Sequence, residues 1–331
     1  MNIYISIPKG EIRETFLNSE NVAFLETLGT LTWNDSCEYL TGDQLRDQLV
    51  DIDVLVCGWG TPCLTDEVLS KANRLKLVAY VAGSVANVVS DAMYNRGIRI
   101  VCGNEAFARS VAEAAVAYML CARRYIPFYS SYIQEHGWKS PVNYGRALND
   151  QTVGIVGYGS ISRYLLELLR PFHVKIKLYS SHMTEEQASA LGVEKASLEE
   201  IFSTCKVISL HCARNAKNYH MINERLLRMM QNEAVLINTA RGDIIDEEAL
   251  IRVAREGKIR AMLDVFEEEP LPMNNGLRGL DNVILMPHCG GPTYDKRCDA
   301  ARLVLDDILR LQQGLPLQNE VSAVRAATMT H

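Results

Sequence analysis

Four side chains of the anion-binding and proton-transferring kinds close three strand-like runs in the last third of the chain. They are Arg241 in LINTARGDIIDEEAL, Asp264 and Glu269 in MLDVFEEEPLP, and His288 in VILMPHCGG. Each has an ordinary reading by itself: an Arg before Gly is often a surface cation, a glutamate run is often solvated, and a His after Pro is often structural. Together they lie where open α/β sheets bind ligands, at the carboxyl ends of strands.

A second constellation precedes them. VGIVGYGSISRYLLELLRPFHVKIKLYSS, at 153–181, reads as strand, glycine turn, helix and second strand. Gly157 permits the tight turn and Gly159 lets backbone approach a pyrophosphate. The start of the next helix, with Tyr158, Ser160 and Ile161, stabilises that negative charge. Ser162 stands where a third glycine is usual and is small enough to let helix and strand pack closely. A mere tight turn is the bland alternative, and the strand–turn–helix–strand context argues against it. The second strand ends at Ser180 and Ser181, where an Asp or Glu would normally accept the ribose hydroxyls of NAD. Serine lacks the charge that repels a 2′-phosphate, so weak discrimination is expected and the cofactor is NAD(H) or NADP(H).

The elements that must position these groups form an α/β chain. Up to about residue 100, strand-like runs (IYISI, DVLVCGW, LKLVAYV, IRIVCG) alternate with helix-like ones, which argues a parallel sheet. Residues 105–123 are alanine-rich without Pro or Gly, and a long helix joining two domains is expected there. From 153 the pattern restarts, with candidate strands at 153–157, 176–180, 207–211, 234–239, 259–265 and 283–287, the count of a complete doubly wound fold. A last helix from about Tyr294 carries Ala301, Val304, Leu305, Ile308 and Leu311 at helical spacing, stops at Gly314, and is expected to pack on the first domain.

The 331 residues suit two domains, and 48% hydrophobic with 22% charged residues is an ordinary globular mixture. A net charge of -6 leaves no basic excess for nucleic acid. The longest apolar run, Ala114 to Ala122, is about half a membrane span. The N-terminal MNIYISIPKG has neither the basic start nor the apolar core of a signal peptide, so a cytoplasmic protein is expected. Nine cysteines without a CxxC pair read as buried reduced thiols, and no metal is expected. Tyr125, Phe128, Tyr129, Tyr132, Trp138 and Tyr144 crowd one segment of a chain that is only 7% aromatic. They suit a local core, or an arm at 124–150 that buries its rings against a second subunit; a homodimer through this arm and the second domain is the expectation.

These segments resemble the D-isomer-specific 2-hydroxyacid dehydrogenase family. The likeness runs from about Gly58 to Gly314 through RGI at 96–98, SVAE at 110–113, VGIVGYGSI, VISLHCA, INTARGDIIDEEAL, LDVFEEEP and PHCGG. The resemblance implies two Rossmann-like domains, one flavodoxin-like and one doubly wound, with a cleft between them. Residues 1–104 and 294–331 would bind substrate and 105–293 would bind NAD(P). It also implies a catalytic trio matching Arg241, Glu269 and His288. Arg241 would clamp the carboxylate and keto oxygen of a 2-oxo acid, and His288 would be the acid in reduction and the base in oxidation. Glu269 would pair with its imidazolium and favour the protonated form. Asp264 would lie beside the nicotinamide; His211, Thr239 and Ala240 would line the cofactor cleft. Gly83 and Ser84 match a loop whose amides hold the substrate carboxylate, although Ala86 precedes Asn87 where the family has Asp. Trp59 would overhang the pocket or be a buried turn indole. The family's Pro and Thr are replaced by Ala213 and Asn215, and its ribose Asp by Ser180.

The expected function is therefore hydride transfer between a nicotinamide cofactor and a small 2-oxo or D-2-hydroxy acid. The rival is an NAD(H)-sensing binding protein of the corepressor type, since that branch keeps the same trio. The absence of added tails, docking motifs and basic patches argues against it.

Overall fold

Runs with no polar position, such as Val54–Cys57 and Leu77–Tyr80, are stable only when covered on both faces, and in the computed structural model every residue of both is buried. The structure describes residues 1–141 and 143–330. The chain divides into two compact units, one formed by residues up to Ala108 and from Pro292 onward, the other by Arg109–Gly291.

In the first unit β1 (Asn2–Ile5), β2 (Thr30–Trp33), β3 (Val54–Cys57), β4 (Leu77–Tyr80) and β5 (Arg99–Cys102) form a parallel sheet in the order β2-β1-β3-β4-β5. That is the flavodoxin-like order. The sequence reading has four of these strands and lacks β2. Thr30–Trp33 alternates between exposed and half-buried positions at the sheet margin, so its apolar content is too thin to stand out. Helix Arg297–Gln312 buries Ala301, Val304, Leu305 and Ile308 completely, in one core with Ile3, Ile5, Val54 and Val56. It ends before Gly314, which takes φ 69 as a left-handed turn requires. On this helix the fully buried carboxylate of Asp307 accepts the amides of Gln318 at 2.7 Å and Asn319 at 2.9 Å, and the Asn319 side-chain amide at 2.9 Å. The returning chain is thereby held so that Val321 N donates to Ile100 O beside β5.

The second unit is built on β6 (Thr152–Val156), β7 (Lys175–Tyr179), β8 (Glu194–Lys195), β9 (Val207–Leu210), β10 (Val235–Asn238), β11 (Arg260–Leu263) and β12 (Val283–Leu285). All pair in parallel, in the order β8-β7-β6-β9-β10-β11-β12. This is the dinucleotide-binding order 3-2-1-4-5-6 with a seventh strand added. The count of six is thus corrected to seven. The missing third strand, β8, is two exposed charged residues, and an edge that buries nothing carries no apolar signal.

The long helix Asn104–Arg124 belongs to the first unit up to Ala108 and to the second from Arg109. Tyr125 follows at φ 57 and turns the chain into helix Ile126–His136, which buries none of its residues. The aromatic segment divides in two. Tyr125, Phe128 and Tyr144 pack together at 5.0–5.2 Å, with the Arg260 guanidinium 4.1 Å from the Tyr125 ring. Ile126, Ile133 and Trp138 remain exposed along a groove. Among the described residues no helix is long and apolar enough to cross a membrane, and no cluster could hold a metal. All nine cysteines are free, and Cys37, Cys63 and Cys289 are exposed rather than buried.

Asp307→Ala would empty a fully buried carboxylate site and take the shared acceptor from the Gln318 and Asn319 amides, so it is expected to destabilise the protein by about 3 kcal/mol. Urea unfolding checks this; an unchanged midpoint would show that the 318–321 return is held by something else.

Candidate active site

The register of the second sheet sets the site. Val156 pairs with Tyr179 and Leu210, Leu210 with Asn238, Asn238 with Leu263, and Leu263 with Leu285. One residue beyond that line, across the carboxyl edge, stand Ser180, Gly157, His211, Thr239, Asp264 and Met286. Residues as far apart in sequence as Gly157 and Met286 therefore share one edge, flanking the point between β6 and β9 where the strand order reverses.

Gly157 takes φ 98, and a Cβ there would come within 2.6 Å of Cys212 N and 2.7 Å of His211 C. A Cβ at Gly159 would meet nothing within 4 Å, so its backbone is open to a ligand. Helix Ser160–Leu169 starts there with no side-chain cap and no acidic residue in its first turn, leaving its positive end available for an anion. Ser162 is fully buried and donates to Gly157 O at 2.7 Å, closing the turn from within. Tyr158 is exposed and Ile161 is partly buried against the core. Ser180 is half-buried, its hydroxyl accepting the His182 amide at 3.4 Å, and Ser181 is exposed.

Two buried polar atoms on the same edge lack a partner: His211 Nδ1 and Thr239 Oγ1. Buried groups of this kind are normally satisfied, so each has hydrogen-bonding capacity that a bound ligand could engage. The His211 ring lies 2.8 Å from Ser209 Oγ through its Nε2, and burial pushes its pKa down from 6.5 to about 4.

Arg241, Glu269 and His288 converge in this unit. His288 Nδ1 donates to Glu269 Oε2 at 2.6 Å, and Glu269 Oε1 accepts the Phe266 amide at 3.0 Å. Burial lowers the pKa of the half-buried Arg241 guanidinium from its ordinary value, and the nearby Glu269 carboxylate opposes that shift. Arg241 Nη1 also donates to Ala240 O at 2.6 Å. A Cβ on Gly242 would lie 1.8 Å from Phe266 C, so the segments carrying Arg241 and Glu269 touch backbone to backbone. Asn238, absent from the sequence reading, braces the turn, accepting from Ala240 N at 3.0 Å and donating to Arg241 O at 2.8 Å. Asp264, 2% exposed, accepts the Cys289 amide at 2.9 Å, the Gly290 amide at 2.8 Å and the Tyr118 hydroxyl at 3.1 Å. Tyr118 was also unsignalled, because its helix reads as apolar core.

The remaining candidates lie in the first unit. Gly83 packs against Phe107, and a Cβ there would sit 3.3 Å from its ring. Ser84 donates to Thr330 O at 2.5 Å and accepts the Ala86 amide at 3.3 Å. Trp59 is neither buried nor free: 37% exposed, it meets Phe16 and Phe107 edge-on at 5.2 and 6.1 Å, with Arg297 at 5.1 Å.

A family model for the NAD binding domain of D-isomer specific 2-hydroxyacid dehydrogenases matches residues 116–290. The chain belongs to this family. It is 33% identical over 92% of its length to a D-3-phosphoglycerate dehydrogenase of Methanocaldococcus jannaschii, of which it spans only 58%. It is 34% identical to a glyoxylate reductase of Thermococcus litoralis, covering 82% of this chain and 83% of that one. Among solved structures, a glyoxylate reductase from Paecilomyes thermophila superposes with a TM-score of 0.79 at 26% identity, covering 97% of this chain and 98% of the other. The family's cofactor is a nicotinamide dinucleotide, and the open Gly159 turn, the uncapped helix and the two unpartnered buried atoms fit one.

Neutral, buried His211 makes stability depend on pH. Between pH 6.5 and 4 the unfolded chain binds a proton that the folded chain does not, so the contribution is complete above 6.5 and declines as pH falls toward 4. On going from pH 7 to pH 5, the wild type should lose about 2 kcal/mol more stability than His211→Asn. Denaturation at the two pH values checks this, and equal losses would contradict it.

Proposed function

We propose that the protein is an NAD(P)-dependent reductase or dehydrogenase of small 2-oxo and D-2-hydroxy acids. The observation that carries this reading is the 2.6 Å contact of His288 with Glu269, beside a half-buried guanidinium. Residues 109–291 are assigned to the cofactor and the first unit to substrate recognition. The turn at Gly157–Ile161 would hold the pyrophosphate, with Ser180 and Ser181 at the ribose and His211, Thr239, Ala240 and Asp264 along the edge. The nicotinamide group supplies or takes up the hydride. Arg241 binds the carboxylate and keto oxygen through its planar fork, and its positive charge favours the oxygen that becomes more negative in the transition state. Because Nδ1 of His288 is engaged by Glu269, Nε2 is the atom that gives a proton to that oxygen in reduction and takes one from the hydroxyl in oxidation. Glu269 keeps the ring oriented and balances its charge. Trp59, Gly83 and Ser84 are assigned to the substrate.

The test is loss of absorbance when NADH or NADPH is mixed with glyoxylate, hydroxypyruvate, pyruvate and longer 2-oxo acids. Reduction is expected with at least one acid, and it should fall ~10²–10⁴-fold in His288→Ala and about a hundredfold or more in Arg241→Ala. With serines in place of the ribose acid, NADPH should compete with NADH within about tenfold. Tight nucleotide binding without turnover on any acid, unaltered by His288→Ala, would favour the sensing role instead.

The exposed Ile126 and Ile133 on helix Ile126–His136, with Trp138 just beyond its end along the same groove, are proposed to meet a second copy of the chain, since large apolar groups clustered at a surface are costly in water. Sedimentation should give a dimer that Ile133→Lys with Trp138→Lys converts to monomer; a monomeric wild type would refute this.

A further inference from the structure

His288 is the one member of the trio with a left-handed backbone, at φ 52, a conformation uncommon outside glycine that needs its surroundings to enforce it. The next two amides, of Cys289 and Gly290, both point at the Asp264 carboxylate, at 2.9 and 2.8 Å. A Cβ at residue 290 would come 2.8 Å from Asp264 Oδ2, so glycine is what allows that approach. The imidazole is therefore held from two sides, its ring by Glu269 and its backbone by Asp264.

A carboxylate this deeply buried needs hydrogen-bond donors, and its orientation follows theirs. The third donor is Tyr118, 7% exposed on helix Asn104–Arg124, whose hydroxyl lies 3.1 Å from Asp264 Oδ1 and 3.7 Å from Cys289 Sγ. We propose that Tyr118 is a positioning residue for His288, holding Asp264 in the orientation that grips the Cys289 and Gly290 amides and so aims the imidazole for proton transfer. Burial, Cys289 and the Asp264 charge all push the phenol pKa upward, which keeps its proton available to the carboxylate. Tyr118 touches none of the reacting atoms; its effect passes through a side chain and then a stretch of backbone.

This assignment rests on His288 being the acid–base group, and the experiment separates the two. Tyr118→Phe keeps the ring and its packing and removes only the hydroxyl. In cofactor-free protein, deuterium exchange read by mass spectrometry should quicken about tenfold at 288–291, the factor that one hydrogen bond to a charged group can supply, with the rest of the second unit unchanged. In the loaded enzyme kcat should fall about tenfold while KM for the acid holds, and in an Asp264→Asn background the same substitution should cost nothing further. Unchanged exchange at 288–291, exchange that quickens throughout the unit, or an equal kcat loss in the Asp264→Asn background would overturn the proposal. Absence of turnover in the wild type would count against the proposed reaction, and the exchange result would still decide the role of Tyr118.

Discussion

Backbone contact between Gly242 and Phe266–Glu267 is the constraint on which the candidate site depends. A Cβ there would be 1.8 Å from one atom and 2.0 Å from the next, so no other residue fits without parting the two segments. Arg241 lies immediately before the contact and Glu269 just after it, and their spacing is set by main chain rather than by flexible side chains. Everything nearer the chemistry inherits that spacing. Glu269 is steadied by the Phe266 amide and in turn fixes His288, while Asn238 stops the Arg241 turn from opening. In the proposed reaction a guanidinium and an imidazole would face the same small molecule within a fraction of an ångström, and main-chain contacts supply that precision without freezing long side chains.

The sheet does for the cofactor what Gly242 does for the trio. Parallel strands in register finish on one line, and the first residue beyond each is free to leave hydrogen bonding for ligand binding. In this chain those positions carry a glycine turn, two buried polar groups without protein partners and a carboxylate already engaged with the next loop. The unsatisfied atoms and the gripping carboxylate mark different uses of one edge. His211 Nδ1 and Thr239 Oγ1 are left without a protein partner, whereas Asp264 is turned toward the backbone after His288.

Much of this edge was legible because buried parallel strands are apolar throughout, and polar residues directly after them stand out. The strand ends at Arg241, Asp264 and His288 could be located that way, and the turn at Gly157 by its glycines. The strands that escaped, β2 and β8, are both outermost, with partners on one side and half-exposed or exposed residues, so neither needs an apolar pattern. Tyr118 escaped for the opposite reason. In the run AEAAVAYMLCAR a tyrosine looks like one more core residue, and only the three-dimensional meeting with Asp264, 146 positions later, shows what its hydroxyl is for. Trp59 could not be settled as turn core or open contact, because its ring is held by Phe16, Phe107 and Arg297, each distant in sequence.

The exposed pair Glu194–Lys195 that ends the second sheet has a consequence for how copies of this chain can meet. A bare outer strand offers unpaired amides and carbonyls to any other strand, and continuous sheets between molecules are one route to uncontrolled aggregation. Two residues are too short a template, and charges of both signs keep them in water. Their pairing with Lys177 and Leu178 leaves the edge brief and hydrated. Growth of the sheet from one molecule to the next is thus discouraged at that margin by the same polarity that hid the strand from view.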